Sequence, residues 1–164
     1  MNPSVQQLLN QVAKRGSWYG GGSAAALACA LAAALLEKLT NGSPAARSSR
    51  QMRSRCTPLI ERDAKAFSRV IQAYYQQDRS AARRALKAAI DIPITVYTSS
   101  QQVLALGQKA RRMIRPKFRS DLTCVLALAE ASRQASLALI ETNLAWLGDR
   151  AYSRRVKQQL RKPP

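Results

Sequence analysis

Histidine is absent from this chain, and its three cysteines, Cys29, Cys56 and Cys124, lie far apart with no Cys-x-x-Cys pair. The usual zinc and iron–sulfur ligands are therefore missing or scattered, and no metal site is expected. An odd number of cysteines, each inside an apolar helical pattern, fits a reducing cytoplasm. Acidic residues are scarce too, 9 against 27 lysines and arginines, for a formal charge of +18. Such an excess favours polyanionic ligands or acidic surfaces and serves equally as a solubilising coat. Strand signals are almost wanting, while Ala, Leu, Gln and Arg dominate at helical spacing, so an all-α protein is expected. Aromatics are few and do not interleave with the basic runs, and no helix-turn-helix spacing is visible, which leaves specific nucleic-acid recognition without a platform. The apolar run from Ala24 is too short for a membrane span on this count. With Lys14 and Arg15 ahead of it, it imitates a signal-peptide core, but a glycine loop intervenes. No repeat or linker divides the 164 residues, so a single domain, able to bury a real core, is expected.

What is present is organised around Trp18 to Leu36, in which Gly20, Gly21, Gly22 and Ser23 open a helix made almost wholly of alanine and leucine. Glycines permit positive φ and close backbone approach, Ser23 is a good N-cap, and a helix N-terminus offers free N–H donors to an anionic or carbonyl-bearing ligand. With no polar side chain but the Cys29 thiol from Ala24 to Leu36, this helix should be buried on all sides. The alternative is a plain turn before a core helix.

Around it the pattern predicts a first helix from Pro3 and Ser4, with Val5, Leu8, Leu9 and Val12 as its stripe. A turn at Asn41 to Pro44 leads into a long segment to about Gln77, bent at Pro58, with Met52, Cys56, Leu59, Ile60, Phe67, Val70, Ile71 and Tyr74 apolar. A stretch from Arg79 to Ala110 is interrupted by Pro93. A basic connection (Arg111, Arg112, Arg115, Pro116, Lys117, Arg119) precedes the last long helix, Ser120 to Leu147. The basic tail, from about residue 153 to Pro164, should fray. The bundle then has about five to six helices.

Two polar residues fall on apolar stripes. Asp63 lies three after Ile60 and four before Phe67, and burial there would raise its carboxyl pKa toward values useful for proton transfer; an ion pair with one of the arginines is the competing role. Asn143, between Ile140 and Leu147, binds ligand or ties two helices together. Ser120 and Asp121 cap the last long helix or form a polar wall of a site.

Taken in order and spacing, Gly20-Gly21-Gly22-Ser23-Ala24-Ala25-Ala26, Asp63-Ala64-Lys65-Ala66-Phe67, Ile92-Pro93-Ile94, Arg119-Ser120-Asp121-Leu122, and Asn143-Leu144 with Asp149 beyond resemble the formiminotransferase-cyclodeaminase C-terminal domain and its stand-alone relatives, including methenyltetrahydrofolate cyclohydrolases. The resemblance covers about Val5 to Tyr152; Tyr19 stands where the family usually has proline, and Arg115 where asparagine is common. It implies an all-helical protomer that dimerises through its helices and binds a tetrahydrofolate derivative, with no cofactor beyond that substrate. It also implies that Asp63 is the acid/base, and that Gly20, Gly21, Gly22, Ser23, Ser120, Asp121 and Asn143 line the site. Lys117 and Arg119, in the basic connection, suit the glutamate tail of folate. The rival expectation is a non-catalytic helical protein in which Arg47, Arg50, Arg53, Arg55, Arg154, Arg155, Lys157, Arg161 and Lys162 track phosphates. Any nucleic-acid binding by the enzyme would be non-specific, and no membrane partner is expected.

Overall fold

The structure, a computed structural model, describes residues 4–161. Pro3, Lys162, Pro163 and Pro164 lie outside the described residues. The chain forms the expected all-α bundle, and among the described residues there is no strand. Its elements are α1 (Val5–Ala13), α2 (Gly21–Leu39), α3 (Pro44–Cys56), α4 (Leu59–Tyr75), α5 (Arg79–Ala110), a 3-10 turn (Pro116–Phe118), α6 (Arg119–Leu147) and α7 (Arg150–Leu160).

Each boundary has a local cause. Ser4 caps α1 in a capping box with Gln7. Ser43 accepts from the Ala46 N–H while Pro44 supplies the fixed φ of the first turn of α3. The expected bend at Pro58 is a full break: proline has no N–H to continue the ladder, and α3 and α4 are separate helices. Pro93, by contrast, interrupts nothing, since α5 runs through it for 32 residues. Packing on a buried proline holds the helix together where propensity alone would break it. Gly148 ends α6 in the left-handed conformation at φ 66°.

α2 is the hub. Ala26, Cys29, Ala32, Ala33 and Leu36 are wholly buried against α3, α5 and α6. Their small side chains let the flanking helices approach closely enough for direct polar contacts across the core. Ser132 of α6 donates to the Ala25 carbonyl at 2.7 Å, and Ser100 of α5 to Ser132 at 2.9 Å. The thiols of Cys29 and Cys56, distant in sequence, come within 3.3 Å in the same layer. A second cluster joins Leu86 and Ile90 of α5 to Ile140, Leu144 and Leu147 of α6.

Three expectations are corrected by this packing. α2 is not buried all round: Ala24 lies on its surface and Leu31 is 50% exposed. The tail does not fray from residue 153, because α7 docks Tyr152, Val156 and Leu160 on the second cluster. Asp149 caps it by accepting from the Tyr152 N–H and anchors it to Arg83 of α5 at 2.6 Å. The apolar run that looked too short for a membrane continues to Leu39; by length and composition alone, α2 and the segment Pro116–Leu147 could cross one. Half of the α2 stretch is buried inside the bundle, as a central helix requires.

Two apolar faces remain uncovered. α1 rests on the body through Leu8 and leaves Val5 70% and Leu9 51% exposed. α6 presents Ala127, Ala131, Ala138 and Ala145 along its outer side.

Candidate active site

The N-terminus of α2 and the first turns of α4 meet at Gly22 and Asp63. Gly20 is the N-cap, with φ −131°, so Ser23 lies in the first turn rather than capping it. None of the three glycines has positive φ; those that do are Gly16, Gly42 and Gly148. What glycine supplies at position 22 is room, because a Cβ there would overlap the Asp63 carboxylate. Position 21 is less tight: a Cβ would sit 3.8 Å from Leu139 Cδ2, an ordinary contact.

Ser23 is buried and its hydroxyl has one proton to give. It donates to the Ile60 carbonyl at 2.7 Å and lies 3.4 Å from Asp63 Oδ2, so the carboxylate receives only a weak share. A protonated Asp63 can instead donate to the Ser23 oxygen. Burial therefore pushes the Asp63 carboxyl up, with the Ser23 hydroxyl and N–H pulling it partly back. Among the described residues no lysine or arginine forms an ion pair with it, so the competing role expected from the sequence is not the one found.

The carboxyl opens on a cavity of about 270 Å³ between α2, α4, α5 and α6. Trp18 and Phe67 stand on one side, Asn143, Thr142 and Trp146 on the other, over a floor that includes Val70 and Leu86. Asn143 is thus brought to the site from α6, and among the described residues its amide makes no hydrogen bond that would tie helices together. Pro93 bears on the site through its helix and not as a lining residue. It has no N–H for the carbonyl of Ala89, itself a lining residue, so that acceptor lacks its helical donor.

Gly20, Gly21, Gly22, Ser23, Asp63 and Asn143 therefore converge, whereas Lys117, Arg119, Ser120 and Asp121 do not. The latter group surrounds the start of α6 and Asn143 is near its end, 23 residues from Ser120, or roughly 34 Å at 1.5 Å per residue. Ser120 and Asp121 do not cap α6 either, since Phe118 is the N-cap and no side chain bonds there. Trp18, Trp146 and Thr142 are lining residues that sequence pattern did not single out. Phe67, assigned to the core by its spacing, is 41% exposed and faces the cavity. The available signal was the combination of stripe and gap: Asp63, Phe67 and Val70 share one face of α4, and an aspartate on an apolar stripe marks a cavity.

A carboxyl raised by burial, beside a helix N-terminus and inside an aromatic cavity, is the arrangement that a small-molecule site for proton transfer requires. The chain belongs to the formiminotransferase-cyclodeaminase family, whose sequence model matches residues 4–162. Comparison with curated proteins gave no match. Among solved structures it is similar to formiminotetrahydrofolate cyclodeaminase from Thermotoga maritima, at 21% identity and a TM-score of 0.88, covering 97% of this chain and 87% of that one. That likeness shows a shared fold.

Proposed function

We propose that this protein is a folate-dependent one-carbon enzyme, a formimidoyltetrahydrofolate cyclodeaminase or a methenyltetrahydrofolate cyclohydrolase, with Asp63 as its acid and base. The observation that carries the proposal is Asp63 itself, without an ion-pair partner among the described residues, half-buried and packed against Gly22. In cyclodeamination the aryl nitrogen, N10, attacks the carbon of the protonated formimino group, whose C=N electrons move to nitrogen to leave an amino group, and N10 gives its proton to the Asp63 carboxylate. The tetrahedral centre then collapses: Asp63 returns a proton to the amino group, the bond to that nitrogen breaks, and ammonia leaves as the methenyl bridge closes. One carboxyl serves both transfers when its pKa lies above the ordinary aspartate range. In the cyclohydrolase variant the same group takes a proton from water as it attacks the methenyl carbon and passes it to the ring nitrogen N5 as the carbon–N5 bond breaks, the new hydroxyl losing its proton to solvent to leave a formyl group on N10. The N–H groups of Gly21 and Gly22 at the start of α2 suit a carbonyl or developing negative charge on the pterin.

The cavity is smaller than a whole tetrahydrofolate, so part of the substrate must lie outside it. A homodimer supplies the remainder. The uncovered faces of α1 and α6, with Leu31 of α2, favour a second copy, and antiparallel pairing along α6 carries Lys117, Arg119, Ser120 and Asp121 of that copy toward Asn143. The family resemblance favours the same grouping. The test is turnover of formimino- and methenyltetrahydrofolate by the purified protein, with Asp63→Asn beside it. Conversion of one of them that falls with Asp63→Asn in a correctly folded protein is expected, and a wild type that converts neither overturns the proposal.

A further inference from the structure

The cavity has two aromatic sides that the chemistry at Asp63 leaves without a role. Along α4, Asp63, Phe67, Val70 and Tyr74 follow one another at helical spacing. Phe67 meets Trp18 edge-on, with centroids 6.0 Å apart and planes at 64°, beside the reactive end. Two turns on, Tyr74 stacks on Trp146 of α6, with centroids 4.9 Å apart and planes at 20°. Trp146 lines the cavity and Tyr74 does not. One face of the indole is therefore taken by Tyr74, while Trp146 itself is 40% exposed and lines the cavity. Side chains on a helix lean toward its N-terminus, so the indole of Trp146 reaches back over Thr142 and Asn143 toward the carboxyl end of the cavity. Between them lie Val70 and Leu86, both almost fully buried and without a hydrogen-bonding group.

We propose that the exposed face of Trp146, backed by Tyr74, is the subsite for the aminobenzoyl ring of the substrate. This assignment rests on the folate activity proposed above. It follows from matching polarity. A pterin edge carries several donors and acceptors that Val70, Leu86 and an indole face would leave unmade, whereas a benzene ring needs none. The pterin then lies toward the glycine N–H groups and Trp18, and the ring joined to N10 lies toward Trp146, with the reacting atoms between them at Asp63. Tyr74 is a positioning residue: it fixes the indole plane from behind without touching substrate.

The chain has two tryptophans and both line the cavity, so each reports binding without turnover. Trp18→Phe leaves Trp146 as the only emitter, and Trp146→Ala leaves Trp18. Each is titrated with 5-formyltetrahydrofolate and with 6-methyltetrahydropterin, which has no aryl ring; neither absorbs where tryptophan emits. The folate should change Trp146 emission and the pterin should not. Trp146→Ala should weaken folate binding about tenfold, with Trp146→Phe recovering most of the loss. Tyr74→Ala should raise KM about fivefold with kcat little changed, and Tyr74→Phe should restore it. Equal responses of Trp146 to folate and pterin overturn the ring assignment and leave the folate activity standing. So does a silent Trp146 in a protein whose turnover or Trp18 emission reports folate binding. Absence of turnover together with silence of both tryptophans overturns the folate activity and this assignment with it.

Discussion

At Asp63, the proposed proton-transfer role and stability pull in opposite directions. A carboxyl whose pKa is raised in the folded state favours folding when protonated, so that contribution is full below the ordinary aspartate pKa and lost as pH rises through the raised value. Where the carboxyl is ionised, this poorly bonded side chain is a cost. Asp63→Asn is therefore expected to raise the melting temperature at pH 7 while lowering turnover by about 10²–10⁴-fold, and its thermal advantage should shrink at acidic pH. Wild-type activity should fall on the acid side as Asp63 protonates, at a pH above the usual aspartate range, and calorimetry beside a pH–rate profile checks both. The glycines make a sharper test. Gly22→Ala improves helix propensity yet places a methyl group where the carboxylate sits, so it should abolish most turnover; Gly21→Ala, with only Leu139 nearby, should keep the fold and much of the activity. Equal kinetics for the two variants would contradict the close packing of Gly22 on Asp63.

At the scale of elements, the fold depends on how closely α5 and α6 run to each other and to α2. Gly107 sits inside α5 where α6 crosses: an added Cβ would lie 3.1 Å from Leu126 Cδ2 and 3.6 Å from Leu122 Cδ1. A single methyl group is absorbed by a small shift of Leu126, and better helix propensity offsets its crowding. Gly107→Leu has no such escape and should destabilise by about 1–3 kcal/mol in denaturant titrations, through overpacking. Pro93 shows packing overriding propensity in the other direction. The helix continues through it, and the carbonyl that loses a donor belongs to a residue lining the site. α7 is a further case, since its composition is basic and polar, yet Tyr152, Val156 and Leu160 fall on one face and Asp149 ties its start to Arg83.

For the whole molecule, the uncovered apolar faces and the separation of Ser120 and Asp121 from Asn143 lead to one expectation. If two copies complete each other's sites, mixing inactive Asp63→Asn and Asp121→Asn proteins should restore about a quarter of wild-type activity, since half the dimers are mixed and each holds one intact site. No recovery after subunit exchange, or a monomer at micromolar concentration, would rule out a shared site. The charge of +18 gives a second expectation. Arg50 and Arg53, two of the cations that would track phosphates, turn to Glu37 at 2.7 and 2.9 Å. Nucleic-acid binding should accordingly be non-specific and collapse between low and near-physiological salt, while folate binding in the cavity persists. Tight nucleic-acid binding at the higher salt without folate binding would favour the rival, non-catalytic role.

The sequence by itself determined the helices and their class, because alanine- and leucine-rich segments with serine, proline and glycine at their ends specify local structure through short-range interactions. It also marked Asp63, since a carboxylate on an apolar stripe is conspicuous at a spacing of three and four residues. The same reading marked the glycine loop and Asn143, and the family resemblance added the folate substrate and the acid/base role of Asp63. Tertiary structure decided what depends on distant partners. It showed that Gly22 is required for proximity and not for its dihedral angles, that Ser23 holds Ile60 and Asp63 and caps nothing, and that Phe67 and Trp146 face a cavity. It also decided where the ends of α6 lie: residues in one long helix keep a fixed separation, so Ser120 cannot reach Asn143 within one chain. Periodicity reports which face of a helix is apolar. Whether that face meets a core, a cavity or a second copy depends on what the rest of the chain brings against it.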